Sequence, residues 1–385
     1  MNEKEAYLHH LVVTGKNDSI EDLLENNDVE INAKDEKGNS VLHKAAKEGN
    51  EELLAILLDN GADINAVNYK LNSALHVAIK NVAVDCVEFL LKENIQVNRR
   101  NEGDETELLV ALSLFESEKD KIIGMLINCE NIDLKIVFLG GRNYLHHACE
   151  KGNVLLAEKL ITEYPALHKK DNQNDYPIHF AAYEGHRAIV NLMFENIPNL
   201  NINICGSWNW PLLFGANWKT QLSTIELLVS KGANCNLKLN DGNTCFTLAL
   251  GSYITCCLIY PYRFCPLRSK VDICNEIKTI YNDLSNGFRK QCVHLALAIY
   301  LIKYGNADIY VQDNSGVFAL TRIKVVDKTA YDRLILDFET KRERNNFQQP
   351  LSDMHTKVTV KSEALPSETH TLLKNRAQKR KMDDC

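Results

Sequence analysis

The 385-residue chain is 45% hydrophobic and 25% charged, with a formal net charge of −7, the composition of an ordinary folded soluble protein. Its longest apolar stretch, Cys292 to Ile302, is too short to cross a bilayer, which argues against membrane insertion. Residues 340–385 hold ten Lys or Arg against six Asp or Glu, so the rest of the chain carries the acidic excess; such a surface repels phosphate backbones and argues against nucleic acid as a partner.

The N-terminus is polar from Asn2 to Glu5 and shows no secretory leader. The expected location is therefore cytoplasmic or nuclear, and the twelve cysteines read as reduced thiols. From there one pattern returns down the chain. It is seen as Ser40-Val41-Leu42-His43-Lys44-Ala45-Ala46 ending at Gly49, as Ser73-Ala74-Leu75-His76-Val77-Ala78, and as Asn143-Tyr144-Leu145-His146-His147-Ala148 ending at Gly152. It returns as Tyr176-Pro177-Ile178-His179-Phe180-Ala181-Ala182 ending at Gly185. Leu42, Leu75 and Leu108 lie 33 residues apart, as do Leu145 and Ile178, and Leu212 follows 34 residues later. These segments resemble T-P-L-H-x-A-A-x-x-G, the signature of the ankyrin repeat.

That resemblance implies an all-α solenoid of helix-turn-helix units with short β-hairpin fingers between them. Ser or Thr caps the first helix, Pro is tolerated in its first turn, and Gly ends it in a left-handed conformation. Nine units are expected. The first, residues 1–34, anchors at Leu8 and serves as the N-terminal cap; units two to eight begin within residues 35–251. The fourth, Thr106-Glu107-Leu108-Leu109, keeps the frame but loses the His and the Gly. The eighth starts at Asp241 to Leu250, and its second helix resumes near Ala296 to Lys303. Residues 252–289 therefore read as an insertion. Residues 290–344 complete unit eight and form a C-terminal cap, and 345–385 read as a disordered basic tail.

From the fifth unit onward the order of features is similar to the ankyrin block of the mind bomb E3 ubiquitin ligases. Three features carry this likeness: Asn143 to Ala148 followed by Leu160-Ile161-Thr162-Glu163-Tyr164-Pro165, the long connection Ile197-Pro198-Asn199-Leu200-Asn201-Ile202, and the split penultimate repeat. The resemblance implies a component or fragment of such a ligase, recognising a substrate or partner in Notch-type signalling. The paired Cys-x-x-Cys of a RING finger is absent from this sequence.

No catalytic motif stands out. The recurring His9, His43, His76, His146 and His179 keep the repeat period, and the ankyrin resemblance implies that they bond finger backbone. Cys256, Cys257, Cys265 and Cys274, with Cys292 and His294 beyond, have spacings unlike a zinc finger, so no metal and no cofactor are expected. Nor is a small-molecule substrate. Function is expected instead at the variable positions facing the concave side, where one or more partner proteins would bind. Those positions are His147 and Glu150 in unit five, Phe180, Tyr183 and Glu184 in unit six, and Phe214, Asn217 and Trp218 in unit seven, with fingertip residues Tyr69 and Trp208. Large aromatic residues at solvent-facing positions are the usual material of interface hot spots. Trp210, standing where the capping Thr belongs, is expected to pack locally. Lys374, Arg376, Lys379, Arg380 and Lys381 form a basic run suited to nuclear localisation, which would fit a nuclear regulator masking a basic transcription factor.

Overall fold

A computed structural model describes residues 2–25, 29–115, 117–259, 275–284, 292–312, 314 and 316–344. The basic run at 374–381, Cys265 and Cys274 lie outside them. Helices pair along the chain as the period requires. Unit one holds α1 (Glu3–Thr14) and α2 (Asn17–Glu25), unit two α3 (Val41–Glu48) and α4 (Glu51–Asp59), and unit three α5 (Ala74–Lys80) and α6 (Val84–Lys92). Unit four holds α7 (Glu107–Leu112) and α8 (Lys119–Ile127), unit five α9 (Tyr144–Lys151) and α10 (Val154–Glu163), and unit six α11 (Pro177–Glu184) and α12 (Arg187–Asn196). Unit seven is α13 (Leu212–Trp218) and α14 (Leu222–Ser230). Unit eight has three described helices, α15 (Cys245–Ile259), α16 (Asn275–Asp283) and α17 (Val293–Lys303); α18 (Ala319–Val326) and α19 (Lys328–Arg344) close the array.

First helices stack on first helices: α1 on α3, α3 on α5, α5 on α7, α7 on α9, α9 on α11, α11 on α13 and α13 on α15. The repeated Leu and the Ala pair make this possible. Leu42, Ala45, Ala46, Leu145, Ala148, Ile178, Ala181 and Ala182 are all fully buried, and small side chains let the backbones approach. One continuous core runs the length of the array, so each unit is stabilised by its neighbours rather than by itself.

The fingers are turns rather than strands. Asn68 N–H donates to Asn72 O (3.0 Å), Asn101 to Glu105 (3.0 Å), Phe138 to Arg142 (2.7 Å), Asp171 to Asp175 (2.9 Å) and Gly206 to Trp210 (3.0 Å). Single antiparallel bridges such as Val67–Ser73 and Cys205–Pro211 close them. Two or three tip residues leave no length for a ladder, and among the described residues no sheet forms.

Four of the five repeat histidines reach the next finger, His9 through Ala33 O at 3.0 Å, whereas His179 Nε2 has no hydrogen-bond partner. His43 Nε2 donates to Asn72 O (2.9 Å), His76 to Glu105 O (3.2 Å) and His146 to Asp175 O (3.2 Å), while Nδ1 accepts the backbone N–H of the residue capping its own helix. Serving both roles requires the neutral ring, and burial holds all three imidazoles below their usual range.

The expected boundary at residue 252 falls inside α15, which continues to Ile259. Gly251 and Ser252 lie at that boundary without ending the helix. Tyr253 is fully buried and donates its hydroxyl to Asp327 at 2.8 Å, fastening the extended helix to the base of α19.

Candidate partner-binding surface

The last turns of α9, α11 and α13, with the fingers beside them, form a surface rich in aromatic rings and paired charges. Arg142, at the end of the unit-five finger, organises its near edge. Its Nη1 donates to Glu150 Oε2 at 3.1 Å, its Nε lies 3.4 Å from the buried Asp171 carboxylate, and its guanidinium sits 4.3 Å above the Phe180 ring. Such a stack orients both partners because the ring face is negative. Glu150 and Phe180, expected from their register, therefore belong to one cluster with an arginine that the register did not single out.

Unit six repeats the arrangement. Lys219 Nζ stands 4.8 Å from the Tyr183 ring centroid and 3.8 Å from Glu184 Oε1. Trp218 follows, 36% exposed, tilted against Trp210 at 5.2 Å. Trp210 also meets Phe214 edge-on at 5.0 Å, the local packing expected of it.

Two fingertips project further. Tyr69 is 68% exposed and Trp208 81%. Trp208 and Asn209 both hold positive φ (58° and 59°). A bulky residue in the left-handed region costs about 1 kcal/mol or more. Here the conformation is imposed by a short turn. Ser207 N–H donates to Asp175 Oδ1 (2.8 Å), and an added Cβ on Gly206 would lie 2.1 Å from that carboxylate oxygen. The finger can approach Asp175 only with glycine there, and the tight turn leaves the indole outside. Leu139, 88% exposed on the unit-five fingertip, is a further apolar projection that the repeat register did not flag.

Three expected contact residues are not available at this surface. Phe214 is 3% exposed because the Trp210 ring and the following unit cover it. Asn217 is buried, and its Nδ2 donates to Cys245 O, in the first turn of α15, at 2.6 Å. His147 is largely buried, edge-on to Phe138 at 5.3 Å, with Nδ1 3.9 Å from Glu150. Its Nε2 has no partner, and burial, then the Arg142 charge, push it down to about 4. The register gives angular position along a helix; it does not report how far neighbouring side chains reach over it.

No group of three or more His, Cys, Asp or Glu among the described residues could hold a metal ion. No described helix is long and apolar enough to cross a membrane.

A family model for ankyrin repeats (three copies) matches residues 8–101 and 108–205. Curated relatives include alpha-latrotoxin-Lh1a of Latrodectus hasselti, 26% identical over 120 residues, and alpha-latrotoxin-Lg1a of Latrodectus geometricus, 28% identical over 114 residues. These matches take in 31% and 29% of this chain but 9% and 8% of the toxins, so it spans less than a tenth of the relatives' length.

Proposed function

Because this chain is an ankyrin-repeat protein, we propose that it is a non-catalytic recognition module that binds a partner protein on the concave face of units five to seven. The row Phe180, Tyr183, Trp218 and Trp208 carries the reading, with Arg142 and Lys219 held against it by Glu150 and Glu184. Aromatic residues on a rigid frame lose little entropy on binding, and their already oriented cations and carboxylates add directional contacts. The test is affinity capture with mass spectrometry from the source cells, using the full chain beside a Tyr183→Ala/Trp218→Ala variant of unchanged melting temperature. Proteins lost with the variant support this surface; identical protein lists refute it.

Two narrower readings rest on particular features. A ligase role like that of the mind bomb proteins draws support from the long connection at 197–202 and from the extra helix α16 inside unit eight. It requires a RING protein among the captured partners. A nuclear regulator masking a basic transcription factor draws support from the basic run at 374–381. It requires nuclear accumulation that is lost when that run is deleted.

A further inference from the structure

Unit four breaks the pattern of its neighbours in four ways. Its first helix, α7, has six residues. Six positions, 113–118, connect α7 to α8, whereas two suffice in units two, five and six. Leu109 stands where the neighbouring units three and five place His76 and His146, so the imidazole link to the next finger is missing; a hydrogen bond between Thr106 Oγ1 and the Tyr144 hydroxyl crosses to unit five instead. Finally, Glu107 occupies the first helical position, where unit six has Pro177, and is completely buried.

The surroundings of Glu107 determine its protonation. Neither carboxyl oxygen has a hydrogen-bond partner. The backbone amides of Glu107, Arg99 and Asn98 lie near it without reaching hydrogen-bond geometry. Oε1 is 3.5 Å from His76 Nδ1. That nitrogen is an acceptor: the Ser73 hydroxyl lies 2.8 Å from it and Ser73 N–H donates to it at 3.3 Å, while His76 Nε2 is committed as donor to Glu105 O. With the Nδ1 lone pair taken up by Ser73, the imidazole offers Glu107 no proton, and an ionised carboxylate would stand in a dry site with no donor reaching it; a protonated one carries no charge to leave unpaired. Arg99 is the cation facing the pair, but its guanidinium is engaged by Gln96 and by Asn65 O. The Glu105 carboxylate and, from α9, the Tyr144 hydroxyl complete the titratable surroundings. Burial accordingly pushes the Glu107 carboxyl up to about 7 and pulls the His76 imidazole down.

We propose that unit four is the joint at which the array opens, and that a single proton held between Glu107 and His76 makes this opening indifferent to pH. Closed, the pair holds its proton on the carboxyl. Open, both groups meet water and return to ordinary values, 4.5 for the carboxyl and 6.5 for the imidazole. Between those values the open pair also holds one proton, now on the imidazole. Opening therefore takes up and releases almost nothing, and by linkage its equilibrium hardly moves with pH.

Breaking the pair exposes each half. With Glu107→Gln, His76 titrates alone, and opening grows as pH falls below 6.5, up to about 30-fold at pH 5. With His76→Gln, Glu107 titrates alone, and opening grows as pH rises, roughly 70-fold from pH 5 to 8. In the wild type the change over that range stays within about threefold.

Hydrogen exchange of the full chain, read by mass spectrometry and corrected for intrinsic rates, tests this. The peptides to compare are those covering α5, α7 and α8, against α3 and α11. The expected result is lower protection in α7 and α8 than on either side, flat with pH in the wild type and sloping in opposite directions in the two variants. Glu107→Leu, which also leaves His76 alone, replaces Glu107→Gln if that protein does not fold, and must show the same acid slope. Equal protection of α7, α3 and α11 overturns the joint. A wild-type pH slope matching that of Glu107→Gln overturns the shared proton.

Discussion

Acid should loosen units five and six before the rest of the array. Four histidines lie close together there. His168 stacks on Tyr176 at 5.1 Å, Tyr176 on His179 at 5.9 Å, and His146 and His147 follow in α9. The Nε2 atoms of His147, His168 and His179 have no hydrogen-bond partner. Burial, with smaller contributions from mutual repulsion and Arg142, holds His146, His147 and His168 to about 4, and His179 is lowered too despite Asp175 and Asp171 nearby. An imidazole lowered on folding is neutral in the folded array and charged in the unfolded chain below about 6.5. Stability is therefore present above pH 6.5 and is lost as pH falls toward 4. At pH 5 the linkage amounts to about 2 kcal/mol for each of the three, and several kcal/mol together. Urea titration followed by tryptophan fluorescence reads this region, because Trp208, Trp210 and Trp218 all lie in unit seven, directly beside it. A loss of about 6 kcal/mol lowers the midpoint by about 2 M or more for ordinary m-values. His168→Phe keeps the stack on Tyr176 and removes one titrating group, so it should recover about 2 kcal/mol at pH 5 and nothing at pH 7.5. Midpoints agreeing within about 0.3 M at pH 5 and 7.5 would refute the reasoning.

Other perturbations separate core from surface. Asn217→Ala removes the buried hydrogen bond from Nδ2 to Cys245 O, a carbonyl that α15 also engages within itself, and should lower stability by about 0.5–1.5 kcal/mol, measured by urea melting. Phe214→Ala opens a cavity beneath Trp210 and should cost roughly 3–5 kcal/mol, whereas Trp208→Ala at its exposed fingertip should leave the melting temperature nearly unchanged or slightly raised. Gly152→Ala places a Cβ at φ +70°, 2.3 Å from the His186 ring, and should cost more than about 1 kcal/mol while displacing that imidazole from Glu150 O; thermal melting tests the first point and the histidine's NMR shifts the second.

The aromatic surface was partly visible in the repeat register. Counting from the repeat anchors places Phe180, Tyr183 and Trp218 on one side of their helices, where Arg142 lies over the first, Lys219 over the second and Trp210 against the third. The same count places Phe214 and Asn217 on that side, yet both are closed over. Unit seven has lost its histidine to Leu213, and Trp210 replaces the small capping residue, so a large ring lies where the other units leave open surface. Arg142 and Lys219 went unnoticed because they come from a finger and from beyond a helix end, outside the positions a helical count examines. Glu107 looked like one more degraded consensus residue; its burial and its opposition to His76 arise between two units.

The helical units, their order and their stacking faces follow from the sequence alone. A 33-residue period repeats the same Leu, Ala-pair and capping positions, and each unit can bury its apolar face only against a copy of itself. The depth of each variable side chain, the tautomers of the histidines and the protonation of Glu107 were decided by tertiary structure. These depend on which groups approach from the neighbouring unit about 30 residues away, and burial changes the energy of a charge far more than local chain conformation does.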